Sequence, residues 1–308
     1  MAIKLDKLIE NPGYVFVRGV GRFSMVRKLV TDTKSWFYYS RTQRRQQELK
    51  ARIDTSIFKG IQLEEFMRDL NVAGCGFGLQ LPQEVVEEIR AYSESAPAYA
   101  FRDPKLGFLL ENRSQAEAAL GKGILLAQYF NAQEECPAIS KIAEDPLLNL
   151  IALNYLGSIP KYLGASLWWT FPVPPNREDQ MKHAHFFHRD IDDFKFLKFF
   201  FYLTDVEKGD GGHWLVAGSH RKAPYINFRD RLITRRFEDR EIGEYYENAD
   251  IVEIAGKQGL GFAEDTLCVH KAATPVIQPR LILHLQFGLF DLVPESDKRL
   301  ASELKRIC

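Results

Sequence analysis

The chain is poor in cysteine and has no long apolar run. Its four cysteines, Cys75, Cys136, Cys268 and Cys308, are scattered and form no Cys-x-x-Cys pair. That excludes a thiolate metal cage and a disulfide-stapled secreted scaffold, and reduced thiols in a cytoplasmic protein are expected. No stretch of about 18 apolar residues occurs, so no membrane-spanning helix is expected. The nearest approach, residues 196–203, is interrupted by Lys198. The opening MAIKLDKLIENPGY lacks the apolar centre of a secretory leader. Excess charge is missing too. Lys+Arg and Asp+Glu both number 41, which removes the electrostatic argument for nucleic acid, an acidic membrane or a polyanionic substrate. Internal repeats and low-complexity linkers are absent as well.

What remains is an ordinary globular composition, 45% hydrophobic and 27% charged. At 308 residues the chain is near the size at which a single core stops growing. Residues 24–53, which include RTQRRQQELKAR, are basic and read as a solvated helix face, with an anionic-partner patch as the alternative. QLPQEVVEEIRAY (80–92) carries Val85, Val86, Ile89 and Tyr92 at helical spacing after a proline. Residues 115–131 and 138–156 also read as helices, the second broken at Asp145-Pro146. After Gly157 the texture turns β-prone. Strands are predicted within 166–173, 194–206, 213–220, 250–255, 259–269 and 280–290, and the charged residues 224–248 as helix or loop. Helices first and short strands later predict an α+β domain with a β-sandwich or barrel core.

The segment HAHFFHRDIDDF (183–194) carries the chemistry. In an extended chain, residues two apart point to one side, so His188 and Asp190 can reach one ion while Arg189 points away. An isolated His-x-Asp is weak, since histidines more often pack or cap. A third ligand must come from elsewhere, and His270 in EDTLCVHKAATP is the best candidate. Two imidazoles and a carboxylate on one side of an octahedral ion suit a non-haem Fe(II) oxygenase, whereas no tetrahedral His/Cys zinc set is apparent. Arg280 follows ten residues after His270, and its fork can grip a carboxylate bidentately. A surface ion pair is the plainer reading of that arginine. The Gly209-Asp210-Gly211-Gly212 turn, the Gly218-Ser219-His220 loop, Pro275 and Pro279 are spaced to bring these strands back on one another.

From about Gly74 to Phe290 the sequence resembles the phytanoyl-CoA dioxygenase-like family of Fe(II)/2-oxoglutarate oxygenases. The ordered motifs are GCGFGLQLPQEVVEEI, FHRDIDDF, YLTDVEKGDGGHWLVAGSH and GLGFAEDTLCVHKAATPVIQPR. The resemblance implies a double-stranded β-helix, a jelly-roll or cupin-like barrel, with flanking N-terminal helices. It places an unassigned, partly helical extension at 1–70 and the dioxygenase domain at 71–308, helical over about 71–160 and barrel over about 161–292. It implies Fe(II) on His188, Asp190 and His270, 2-oxoglutarate anchored by Arg280, and O2 as the oxidant. Hydroxylation of a small or medium-sized organic substrate would release succinate and CO2. In related halogenases a small residue replaces the carboxylate ligand, so Asp190 favours hydroxylation. The chain departs from the family pattern at Phe187, Ala217 and Ala272; the last leaves the 2-oxoglutarate contact set incomplete. A non-catalytic β-barrel binding module, or another cupin-like metalloenzyme such as an isomerase, is the alternative. The partner expected is a small molecule, with neither nucleic acid nor membrane.

Other residues are weighed against plainer roles. His183 and His185 would be ligands only if the register is shifted. His213 and His220 read as structural turn residues, and His284 as either cavity wall or core. Placement against the family turns Trp169 inward, into the cofactor site. Lys198, Phe200 and Tyr202 share a face. If that face is interior, Lys198 needs a carboxylate that cosubstrate or substrate could supply; if exterior, it is a solvated charge. Asp192 and Asp193 either gate the entrance or face solvent.

Overall fold

The computed structural model describes residues 12–174, 185–221, 235–292 and 297–308. The described residues open with four helices: α1 (Pro12–Val20), α2 (Ser24–Phe37), α3 (Tyr39–Ala51) and α4 (Leu63–Ala73). A mixed stretch follows, with β1 (Cys75–Gln80), α5 (Gln83–Ser95), β2 (Ala98–Ala100), β3 (Gly107–Phe108), α6 (Arg113–Leu120) and β4 (Leu126–Tyr129). Then come α7 (Ala132–Glu135), α8 (Pro137–Ala143) and α9 (Pro146–Leu156). The rest is mostly strand: β5 (Lys161–Thr170), β6 (Phe196–Tyr202), β7 (His213–Val216), α10 (Asp239–Tyr245), β8 (Ile251–Ile254), β9 (Leu260–Glu264), β10 (His270–Ala272) and β11 (Arg280–Gly288).

The strands form two sheets. The larger has eight strands in the order β1-β9-β6-β11-β5-β4-β2-β3, and the smaller three in the order β10-β7-β8. All the paired strands run antiparallel. Side-chain alternation then builds two cores. On β11, Leu281, Leu283, Leu285 and Phe287 join Phe199 and Phe201 of β6 against helix residues such as Ile139, Leu148 and Ile151. The opposite parity puts Ile282, Trp168, Phe200, Tyr202 and Phe262 in a second cluster with Leu215 and Ile254 of the smaller sheet. Strands buried on both faces account for the near-continuous apolar runs of β6 and β11. The result is the two-sheet, double-stranded β-helix architecture with helices banked on one side.

Helix α9 shows how local chemistry sets an element. Asp145 accepts from the backbone N–H groups of Leu147 and Leu148, and Pro146 opens the helix. Gly157 at left-handed φ +69° ends it. The break expected at Asp145-Pro146 is therefore this cap.

Two expectations are corrected here. The helix read over 115–131 stops at Leu120, and residues 126–129 form β4, buried along its length between β2 and β5. A short apolar run carries no period that separates helix from strand. The region 71–160, read as helical, also supplies β1, β2 and β3. In β1, glycines replace the usual branched residues, because Gly76 lies under the Phe66 ring, where a Cβ would come within 2.6 Å.

Candidate functional site

The His188–Asp190 segment is held by backbone bonding rather than as a regular strand. His188 N–H donates to the His270 carbonyl and His270 N–H to the His188 carbonyl, each at 2.9 Å. Asp190 N–H donates to the Thr266 carbonyl at 2.9 Å. This isolated bridge adds the segment to the free edge of β10. It thereby puts side chains from distant parts of the chain on one spot.

There, one donor atom each from His188, Asp190 and His270 lies within 4.8 Å of the others. Asp190 carboxylate oxygens are 3.6 Å from His188 Nε2 and 3.7 Å from His270 Nε2. Each histidine engages a backbone carbonyl through Nδ1, His188 with Phe186 and His270 with Cys268, both at 2.9 Å. With Nδ1 donating, the Nε2 lone pairs are left for the cluster. Burial, followed by the neighbouring His270, holds His188 well below the ordinary imidazole range, so it is neutral. Burial by itself would raise the Asp190 carboxyl, but Lys198, His270 and His188 together hold it well below the usual carboxylate range.

Lys198 faces inward, and its partners are the chain's own acids. Its Nζ lies 2.8 Å from Asp190 and 3.1 Å from Asp192, and Gln286 Nε2 donates to Asp192 as well. This corrects the expectation that cosubstrate or substrate supplies the carboxylate. Asp193 is fully buried and accepts from Phe194 and Phe290 N–H at 2.6 Å. Asp192 is half-buried and Asp193 buried, so neither simply faces solvent.

Trp169 is on the wrong side for a cofactor contact. It pairs with Leu281 in the ladder, packs with the helix-side core and donates Nε1–H to Tyr129 at 3.0 Å. Trp168, opposite Ile282, is the inward tryptophan and meets His284 edge-on at 5.4 Å. The parity of the strand was clear from the sequence; which parity faces inward depends on the neighbouring strand.

Arg280 is 1% exposed at the start of β11. Its Nη1 donates to the carbonyls of Gly211 and Ala273, and Nη2 to Thr170 Oγ1 at 3.3 Å. Its buried Nε has no partner, and among the described residues no carboxylate pairs with it. Among the described residues the buried guanidinium is held only by neutral oxygens, and burying a charge in this way is costly.

Two interior residues escaped the sequence reading. Glu264, on β9 opposite Lys198, is fully buried. His213, taken for a turn residue, opens β7 and stacks with His270, ring centroids 5.6 Å apart. His213 Nε2 and Glu264 Oε2 approach to 2.6 Å. Burial drives Glu264 up to about 7 and His213 down to about 3, the latter helped by Arg280. Neither His213 Nε2 nor either Glu264 carboxylate oxygen makes a hydrogen bond of good geometry, so the pair is a close approach only. The only sequence signal was an acid two residues after Phe262, on the inward parity. His220 does hold the loop, with Nδ1 3.2 Å from Cys268 Sγ. His284 lies inside the barrel with Nδ1 unpartnered. His185 contacts Thr274 Oγ1 at 2.6 Å, and His183 lies outside the described residues.

A cleft of about 880 Å³ abuts both ligand-bearing segments, bordered by His185 and Phe186 on one side and Lys271, Ala273 and Thr274 on the other. His188, Asp190 and His270 are not among its lining residues.

Solved structures share this fold. HygX from Streptomyces hygroscopicus with nickel and 2-oxoglutarate bound is 14% identical, covers 79% of this chain and 94% of its own, and gives a TM-score of 0.52. The same protein with nickel, 2-oxoglutarate and hygromycin B gives 0.50 at 14% identity, over 77% and 92%. The α-ketoglutarate-dependent epimerase SnoN from nogalamycin biosynthesis is 14% identical over 73% and 81%, with a TM-score of 0.46. No curated protein matches the chain in sequence. The profile of the phytanoyl-CoA dioxygenase (PhyH) family matches residues 75–274, a span containing β1 to β10 and all three residues of the His188–Asp190–His270 cluster, and the chain belongs to that family.

Proposed function

We propose that this protein is an Fe(II)- and 2-oxoglutarate-dependent oxygenase that hydroxylates a small or medium-sized organic molecule. The uncompensated, buried Arg280 carries the reading, because it turns a metal cluster into a site that also needs an organic anion. The donor set fits iron. Two imidazoles and one carboxylate would occupy one side of the ion and leave the opposite positions open. When bound, iron and 2-oxoglutarate supply the oxidising power, coupling O2 reduction to decarboxylation that yields succinate and CO2.

The chain's own residues prepare the site. The carbonyls of Phe186 and Cys268 fix both imidazole tautomers, so Nε2 faces the ion. Lys198 takes one oxygen of Asp190 and leaves the other for coordination. Arg280 would hold the distal carboxylate of 2-oxoglutarate, and Thr170 Oγ1, which accepts from Arg280 Nη2, would supply the hydroxyl that Ala272 lacks. Trp168, Phe200 and Phe262 line the interior with apolar surface and exclude water.

The purified protein with Fe(II), ascorbate and 2-oxoglutarate should release succinate slowly without added substrate. Release of neither succinate nor heat of 2-oxoglutarate binding sinks the proposal. Binding without succinate selects the non-catalytic module.

A further inference from the structure

We infer that the outward face of α2 docks on an anionic lipid surface. This stands apart from the oxygenase reading and uses none of its residues.

Helix α2 has apolar residues on two sides. Val26 and Val30 turn toward the helix-side core. Met25, Leu29 and Trp36 are 84%, 67% and 74% exposed. At about 100° per residue these three fall within about 40° of one another. Phe37 and Tyr39, 70% and 64% exposed, continue the patch into α3. Eight of the fourteen exposed large hydrophobics among the described residues lie between Phe16 and Tyr39. Scattered exposed apolar residues need no explanation, but a concentrated stripe does.

The charge around the stripe names the occupant. Residues 12–51 hold nine Lys and Arg against two Asp and Glu, in a chain whose net charge is zero. Lys28, Arg41 and Arg44 are exposed; Arg41 lies over the Tyr38 ring, and Arg44 pairs with Glu48. Asp32 falls within the stripe but is paired with Lys28 at 2.5 Å. A second copy would fit poorly, because a two-fold contact sets this basic surface against itself. An anionic headgroup layer meets the cations, and the layer beneath takes Leu29 and the amphipathic rings of Trp36 and Tyr39. This is lateral attachment; no described helix is long and apolar enough to cross a membrane. The basic segment is thus more than a solvated face.

The opposite face of α2 and the turn before it pack on the body of the domain. Lys34 lies 4.0 Å from the centre of the Phe290 ring, and a Cβ on Gly21 would sit 3.3 Å from Ile191, one residue past Asp190.

The test is co-sedimentation of the full chain with vesicles of phosphatidylcholine containing about one-third phosphatidylglycerol, against phosphatidylcholine alone. The wild type is expected in the pellet with anionic vesicles only, and less so as salt rises. The Leu29→Ser/Trp36→Ser double variant should bind on the order of tenfold or more weaker. Its melting temperature should be unchanged, since both side chains are exposed. Asp32→Asn should bind more tightly. Equal behaviour with both vesicle types, or no binding, overturns the proposal. So does a dimer in light scattering that the double variant dissolves while vesicles bind neither form.

Discussion

At Arg280 the fold buries a permanent charge and, among the described residues, gives it only carbonyl and hydroxyl oxygens. A lysine there keeps the charge but loses the planar fork. Arg280→Lys should raise the Kd for 2-oxoglutarate on the order of tenfold or more, read by calorimetry, and leave metal binding intact. Unchanged affinity would show that the anion binds elsewhere. Asp193 makes a second prediction. Burial pushes its carboxyl up to about 6, against the pull of backbone N–H groups and Lys34. Unfolded, it titrates near about 3.9. The folded state therefore holds the proton more tightly. This group's contribution is most favourable below about 4, falls as pH rises through about 6, and is flat above. Comparing urea unfolding of wild type and Asp193→Asn from pH 4 to 7 should show a wild-type slope that the variant lacks, amounting to about 2 kcal/mol. The same scale shows where sequence reading stops. His188 and Asp190 were legible because a two-residue spacing is local. Glu264 and His213 were not, since their meeting depends on strands that are not neighbours in sequence.

Among the described helices, α9 is the most deeply embedded, with nine of its eleven residues buried. Its cap does more than end a helix. Asp145 also accepts from Ser56 Oγ and Ile57 N–H at 2.9 and 2.8 Å, tying the N-terminal helices to the sheet. Asp145→Ala removes the cap and strands buried donors. The expected cost is about 2 kcal/mol or more, seen as a lower urea midpoint at unchanged m-value. A loss within a few tenths would mean water replaces the carboxylate. The cap was readable as Asp-Pro, and the apolar strands β5, β6 and β11 as long β-prone runs. Strands β1 and β4 were not readable. Glycine weakens strand propensity in the first, and four apolar residues are too few to show a period in the second.

For the whole molecule, a metal that joins His188, Asp190 and His270 ties the segment before β6 to the edge of β10. Binding to the folded state alone then stabilises the entire fold. Nickel as a redox-silent stand-in, with 2-oxoglutarate at about a hundred times its Kd, should add about 2.7 kcal/mol and raise the Tm by several degrees. Asp190→Ala should lose most of that shift; a full shift in the variant would displace the metal from this cluster. The neutral overall charge hides a basic, aromatic N-terminal arm, and composition alone could not show it. What the sequence determined by itself was local: the helix caps, the β-prone runs, and the His-x-Asp pair whose spacing aims two donors one way. The tertiary structure decided everything that depends on facing. Alternation along a strand defines two faces but not which one is covered by helices and which by the second sheet. Only the register of β11 against β5 and β6 turned Trp168, Lys198 and Arg280 inward and Trp169 out.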